Sequence, residues 1–251
     1  MATISQRPLI IDKLGDQGTV MLANYCQQAL CAATRVSMYT GMRPDSTGVL
    51  DLHTHMRDIN PNILTMPEYF KQNGYKSIGF GKILHWTKND DPQSWDERPK
   101  DDDLPYSKDH PKPVIGEFQG EEVHFVYNNV AAKSKGKYIK TSLLQKKLKK
   151  DNQYPATEGY DLTYDAYPDG AIAKAGIAKL EEHASSQEPF FMVLGFRKPH
   201  LPFNAPKKYW DLYPRNDIEL ARYKKLPKGS PIVFRSFVWG TWGLHGLSNG
   251  R

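Results

Sequence analysis

Apolar positions recur at two spacings along this chain, and each spacing predicts a kind of element. From Ala32 to Thr40 the residues are good helix formers, and Val36 and Tyr39 fall on one helical face. Gly41 stands where a helix ends in a left-handed residue, and Arg43-Pro44-Asp45 reads as a turn. Thr65-Met66-Pro67-Glu68 has the form of a capping box, in which hydroxyl and carboxylate each satisfy an orphan amide. Met66, Tyr69 and Phe70 supply the apolar stripe of the helix that follows, and Gly74 ends it. A third helix opens at Pro168-Asp169 and repeats Ile172, Gly176, Ile177 and Leu180 at helical spacing.

The strand signals are shorter. Tyr75 to Phe80 reads as one strand, and Phe190 to Phe196 is a nearly continuous apolar run of the kind expected for a strand buried on both faces. Helix, strand and loop therefore occur twice, each time with basic residues just beyond the strand, which is where open α/β sheets bind ligands. Elsewhere the pattern is weaker. Residues 1–30 hold short apolar pieces broken by Gly15 and Gly18. Residues 87–120, rich in Pro, Asp and Lys, read as a long surface loop, and residues 121–127 as a strand. Leu143, Leu144 and Leu148 give part of the 133–150 stretch the look of an exposed amphipathic helix.

Composition narrows the class. With 251 residues, 39% hydrophobic and 25% charged, the chain suits one sizeable folded α/β domain or most of a larger one, not a disordered polymer. No apolar run approaches the roughly 18 residues of a membrane span, and Leu9, Ile10 and Ile11 are too few for a signal-peptide core, so no export signal is expected and the location stays open. The net charge of +6 favours an anionic partner, but it is uneven. Acidic residues crowd 89–103, while eight lysines fall in 133–150, a tract that reads as a solvated insertion. No aromatic-interleaved RNA motif or zinc-finger spacing supports nucleic acid. Two cysteines, Cys26 and Cys31, are too few for a disulfide framework or a cysteine zinc site. A bridge between them would close a very small ring, and Cys26 reads as a buried free thiol.

Three segments could carry chemistry. Cys31 opens the first helix, where unpaired amides and the helix dipole favour an anion or a thiolate, and Arg35 projects from the same face four residues on. Lys82 and His85 leave the first strand, and Lys198 and His200 leave the second. Each alone is ordinary loop chemistry. Together, two lysines, two histidines and an arginine are a surplus of donors suited to a dianionic, oxygen-rich group such as sulfate or phosphate.

Cys31-Ala32-Ala33-Thr34-Arg35 fits the broad form of the Cys-x-Pro/Ala-x-Arg signature, and with it the chain resembles the type I sulfatases. Gln27 to Leu30, Val36-Ser37 to Thr40-Gly41, Arg43-Pro44-Asp45, Thr65 to Tyr75, Gly81-Lys82 with His85, Ala166 to Gly170 and Lys198 to Phe203 are similar to the iduronate-2-sulfatase group, in the same order. The likeness covers roughly residues 8–214. It implies an alkaline-phosphatase-like α/β sandwich around a mostly parallel sheet, incomplete here. The expected organisation is a partial catalytic domain over 1–214, with a surface insertion near 87–155, and a divergent tail over 215–251. The resemblance further implies that a formylglycine-generating enzyme oxidises Cys31, whose hydrated product attacks the sulfur of a sulfate ester on a sugar, uronic acid or other sulfated molecule. Arg35 would steady that hydrate, Lys82, His85 and Lys198 would bind or polarise the ester, and His200 would protonate the leaving alcohol.

The pattern departs from the family in two places. Ala33 replaces the commoner proline. The family also binds calcium, yet its paired aspartates before the cysteine and its later Asp-His-Gly segment have no match here, which leaves only the oxygen of a modified Cys31 from that set. Calcium takes about six to eight oxygens. Asp12, Asp16 and Asp101 to Asp103 are the substitutes on offer, and they read as solvated. The expectation is therefore a truncated or degenerate sulfatase. Two other readings stay open: a polyanion-binding protein without catalysis, using the lysine tract, and a phosphatase or phosphomutase of the same superfamily, which would use Ser, Thr or Asp as nucleophile.

Overall fold

Two parallel strands organise the structure, a computed structural model that describes residues 10–85, 89–110, 112–113, 118–120, 123–124, 127–128, 132–133, 157–219 and 228–229. Strand β1 (Lys76–Gly81) pairs with β3 (Phe190–Gly195) in register from Lys76 opposite Phe190 to Gly81 opposite Gly195. A second, minimal parallel pair joins β2 (Thr157–Glu158) to β4 (Phe203–Asn204). The helices are α1 (Ile10–Gln17), α2 (Cys31–Thr40), α3 (Pro44–Thr47), α4 (Met56–Ile59), α5 (Met66–Gln72), α6 (Pro168–Ala184) and α7 (Lys207–Trp210).

The side-chain alternation of β3 divides the interior into two layers. Val193 faces Ala32, Val36, Tyr39, Met56, Ile83 and Trp95, the layer under α2. Phe190, Met192 and Leu194 face Ile78, Phe80, Ala171, Ile172 and Ala175, the layer under α6. Phe191 stacks flat on Phe70 of α5, ring centroids 4.3 Å apart. Helices thus cover both faces of a parallel pair, the arrangement of an α/β protein. The outer edge of β1 is strapped by residues 96–97: Gly79 donates its amide to the Glu97 carbonyl at 2.9 Å, and the Asp96 and Glu97 amides donate to the Ser77 carbonyl. Among the described residues no strand lies along the other edge of β3.

The helices expected at Ala32, Thr65 and Pro168 form close to where the spacing put them. Gly41 ends α2 with φ near 69° and returns its amide to the Ser37 carbonyl. Several finer expectations need correction. Glu68 does not close a capping box: Thr65 Oγ1 accepts from the Glu68 amide, but the Glu68 carboxylate turns to Arg57 Nη2 at 2.7 Å. Met66 and Tyr69 are exposed, so the buried anchors of α5 are Pro67 and the partly buried Phe70. On α6 the buried face runs through Ala171, Ile172, Ala175 and Gly176, while Ile177 and Leu180 are half exposed. β3 is only partly buried along most of its length, not enclosed on both faces. Residues 10–17, expected as broken pieces, form α1, none of whose side chains is buried.

The described residues between 89 and 120 are largely irregular, as expected, but not superficial. Trp95 enters the core, Phe118 is fully enclosed and Asp91 is 1% exposed. Asp91 takes a two-pronged grip from Arg57 Nε and Nη2, both 2.7 Å, and a further bond from Ser94, whose hydroxyl also meets Thr65. The strand expected over 121–127 is contradicted, because Val123, His124 and Tyr127 are helical, the first two returning amides to the Gly120 carbonyl. Cys26 is exposed instead of buried, and both cysteines are free thiols. The lysine tract beyond Lys133 and most of the tail from residue 215 lie outside the described residues.

Candidate active site

The C-terminal ends of β1 and β3 and the N-terminus of α2 meet in one region. Cys31 is the first residue of α2, partly exposed, with an extended Leu30 before it that offers no side-chain cap. The first amides of the helix are therefore not used by a cap, which leaves them for an anion. Thr34 pins the approach to Cys31: its hydroxyl donates to the Gln28 carbonyl at 2.8 Å and accepts from the Gln28 amide at 3.4 Å.

Arg35 ties this helix to the first strand. Its Nη1 donates to the carbonyls of Lys82 and Ile83 at 2.7 and 2.8 Å. One cation thus fixes the turn that carries Lys82 and His85, a task separate from the steadying of the Cys31-derived hydrate expected of it. Gly81, with φ near 70°, starts that turn. Lys82 then donates its amide to the Gly195 carbonyl at 2.6 Å, so the exits of both strands are locked together. A side chain at Gly195 would bring its Cβ within 2.2 Å of the Lys82 carbonyl oxygen, so this approach needs glycine. Arg98 braces the same corner from outside, giving Nη2 to the Gly81 carbonyl at 2.8 Å while its Nε pairs with Asp90.

His85 is buried, and its pKa is pushed from 6.5 down to about 4, first by burial and then by the positive charges of Lys82, Arg35 and His200. At neutral pH its ring is uncharged and can still donate one N–H. His200 is exposed, its amide donating to the Arg197 carbonyl at 3.0 Å and its Nδ1 lying 2.6 Å from the Leu201 carbonyl. Lys198 bends back so that Nζ reaches the Pro202 carbonyl at 2.7 Å. Of the six predicted residues, Cys31 and Arg35 share a helix face, Arg35 grips the Lys82–Ile83 carbonyls, and His85 feels Lys82, Arg35 and His200. Lys198 follows three residues after the Gly195 junction.

Several polar residues of structural weight were not singled out in the sequence. Arg57 and Asp91 form the buried pair already described. Glu158, also buried, accepts from the amides of Gln119 and Gly120 at 2.7 and 2.9 Å and from the Tyr167 hydroxyl at 2.9 Å. Burial and that carboxylate push the Tyr167 phenol upward, so it stays protonated. Asp169 accepts from two successive amides of the loop after β3. Only the Asp169 position carried a signal, its place in a helix-opening Pro-Asp-Gly.

The Sulfatase family profile matches residues 3–223, and the chain belongs to that family. It is 31% identical over 223 residues to iduronate 2-sulfatase of Mus musculus and, equally, of Homo sapiens, a stretch that covers 89% of this chain and 36% of each relative. To a sulfatase of Formosa agariphila it is 29% identical over 225 residues, 85% of this chain and 38% of that one. The chain thus spans little more than a third of the length of these relatives.

The family generally uses calcium and a formylglycine. The residues here fit the second: Cys31 is a free, partly exposed thiol at a helix N-terminus. They do not fit the first. Among the described residues no three His, Cys, Asp or Glu side chains are grouped to hold an ion. Asp101 is engaged by Arg197 and Asp102 by Lys112, while Asp12 and Asp16 sit on the solvent-facing α1. No helix of the described residues is long and apolar enough to cross a membrane.

Proposed function

We propose that this chain carries the nucleophile half of a sulfate-ester hydrolase site, built on Cys31 within an alkaline-phosphatase-like sandwich, and that its substrate is a sulfated sugar or uronic acid. The observation that carries the reading is the Arg35 link: the helix that presents Cys31 is hydrogen-bonded to the strand exit that presents Lys82 and His85. A formylglycine derived from Cys31 would supply the oxygen nucleophile. This chain's residues do the rest. The first amides of α2, with Lys82 and Lys198, receive the sulfate oxygens, where fixed donors and positive charge stabilise the charge that builds up during transfer. His85 can donate a hydrogen bond there without adding a proton that could be lost to the anion. His200 protonates the leaving alcohol; with Nδ1 held toward the Leu201 carbonyl, the ring must be in its doubly protonated form for Nε2 to give up a proton. The likeness to the iduronate 2-sulfatases supports a uronic-acid substrate.

The test is turnover of a chromogenic aryl sulfate, with and without calcium, by protein co-expressed with a formylglycine-generating enzyme. Turnover that disappears in Cys31→Ala is the expected result. No turnover, with modification of Cys31 confirmed by peptide mass, would overturn the hydrolase reading. It would leave oxoanion binding without catalysis, which sulfate titration of the same sample then measures.

A further inference from the structure

We propose that Asp169 is a positioning residue for this site: its carboxylate clamps the backbone of Arg197 and Lys198 and so sets where Lys198 and His200 stand. The inference rests on the sulfate-site reading for what those two residues do, but not for the clamp itself.

An aspartate inside the first turn of a helix ordinarily acts on its own helix through the dipole. Asp169 is the second residue of α6, and it reaches elsewhere. Oδ1 accepts from the Arg197 amide at 2.7 Å and Oδ2 from the Lys198 amide at 2.9 Å. Two successive amides on one carboxylate fix both the position and the direction of the chain as it leaves β3, and bonds to a charged acceptor are the strong ones. The clamp has a rigid base. Gly170 lies so close to Tyr164 that an added Cβ would fall 1.8 Å from its carbonyl oxygen, and Lys174 pairs with Asp165 at 2.7 Å, so the start of α6 is pressed onto residues 164–165. It also has a short reach to the chemistry. The Arg197 carbonyl accepts the His200 amide at 3.0 Å, closing the turn that presents the imidazole, and Arg197 is held by Asp101 from the other side. Without the carboxylate the turn would remain tethered at Gly195 but lose its direction.

The experiment uses the full chain as Asp169→Ala and Asp169→Asn, with Lys174→Ala as a variant that loosens the same helix end without touching the loop. Amide exchange at Arg197 and Lys198, and NMR titration of His85, are read alongside circular dichroism. In Asp169→Ala the two amides should exchange at least about tenfold faster. His85 should titrate part of the way back toward its ordinary value, because the His200 charge moves away from it. Asp169→Asn, which keeps one acceptor oxygen, should fall between. Lys174→Ala should leave both readouts where they are. Unchanged exchange and an unchanged His85 titration in folded Asp169→Ala would overturn the proposal, as would the same changes in Lys174→Ala. If Asp169→Ala does not fold, Asp169→Asn decides by the same two readouts. Neither needs turnover, so a failed clamp and a failed sulfatase reading are told apart.

Discussion

His85 shows how one side chain reports the whole site. It is buried beside three cationic residues, and its folded pKa of about 4 lies well below the 6.5 of an unfolded histidine. Between those values the unfolded chain holds more protons than the folded one, so stability rises with pH, is complete above about 6.5 and drains away as pH falls toward 4. His85→Gln removes the titration. The slope of melting temperature against pH across that window should be shallower in His85→Gln than in the wild type, and equal slopes would show that the ring is not buried beside those charges. The positions of the site candidates were legible in the sequence: Cys31 and Arg35 open a helix, and Lys82, His85, Lys198 and His200 stand just beyond strands. Their partners were not. Lys198 meets Asp169 across 29 positions and Arg35 meets the Lys82 carbonyl across 47, and no spacing rule connects residues that far apart.

At the scale of elements, periodicity did what it does well. α2 and α6 were legible because a face repeated, α5 because Thr65 announced its start, and β3 because its apolar run was nearly unbroken. The errors follow from the same logic. Ile177 and Leu180 continue the helical spacing of α6, yet which part of an apolar stripe is covered depends on the width of the sheet beneath it. Residues 89–120 bury Trp95, Phe118 and Asp91 one at a time from irregular backbone, which leaves no period to read. The junction of Gly195 with Lys82 belongs to this scale as well. Gly195→Ala should cost about 1–3 kcal/mol, the usual range for overpacking against backbone that cannot yield. Ile177→Ala, on the half-exposed face, should stay within roughly 0.5 kcal/mol. Urea denaturation midpoints compare the two, and an equal effect would mean that the strand exits are not tightly apposed.

For the molecule as a whole, the exposed apolar residues stand out. Ile10, Ile11 and Leu14 on α1 and Val20, Met21, Leu22 and Tyr25 after it are all more than half exposed, with Leu22 at 91%. Bare apolar side chains in such number favour association. Sedimentation velocity across a range of concentrations should show self-association, and exchanging Leu14 and Leu22 for serine should reduce it. A monomer at every concentration would count against that surface. The family and the parallel strand pair were legible from the sequence, whereas this exposure was not, since an apolar residue in a sequence does not say whether anything covers it.

The strap of residues 96–97 along β1 has a consequence for such association. It occupies the hydrogen-bonding groups of Ser77 and Gly79 on one side of the sheet, so among the described residues the β3 side is the one left without a neighbouring segment. Two copies that met through β3, related by a two-fold axis, would run antiparallel and use up both open sides at once. Growth by that route stops at a pair. The short strap therefore acts as a terminator, separating a sheet that can dimerise from one that could polymerise.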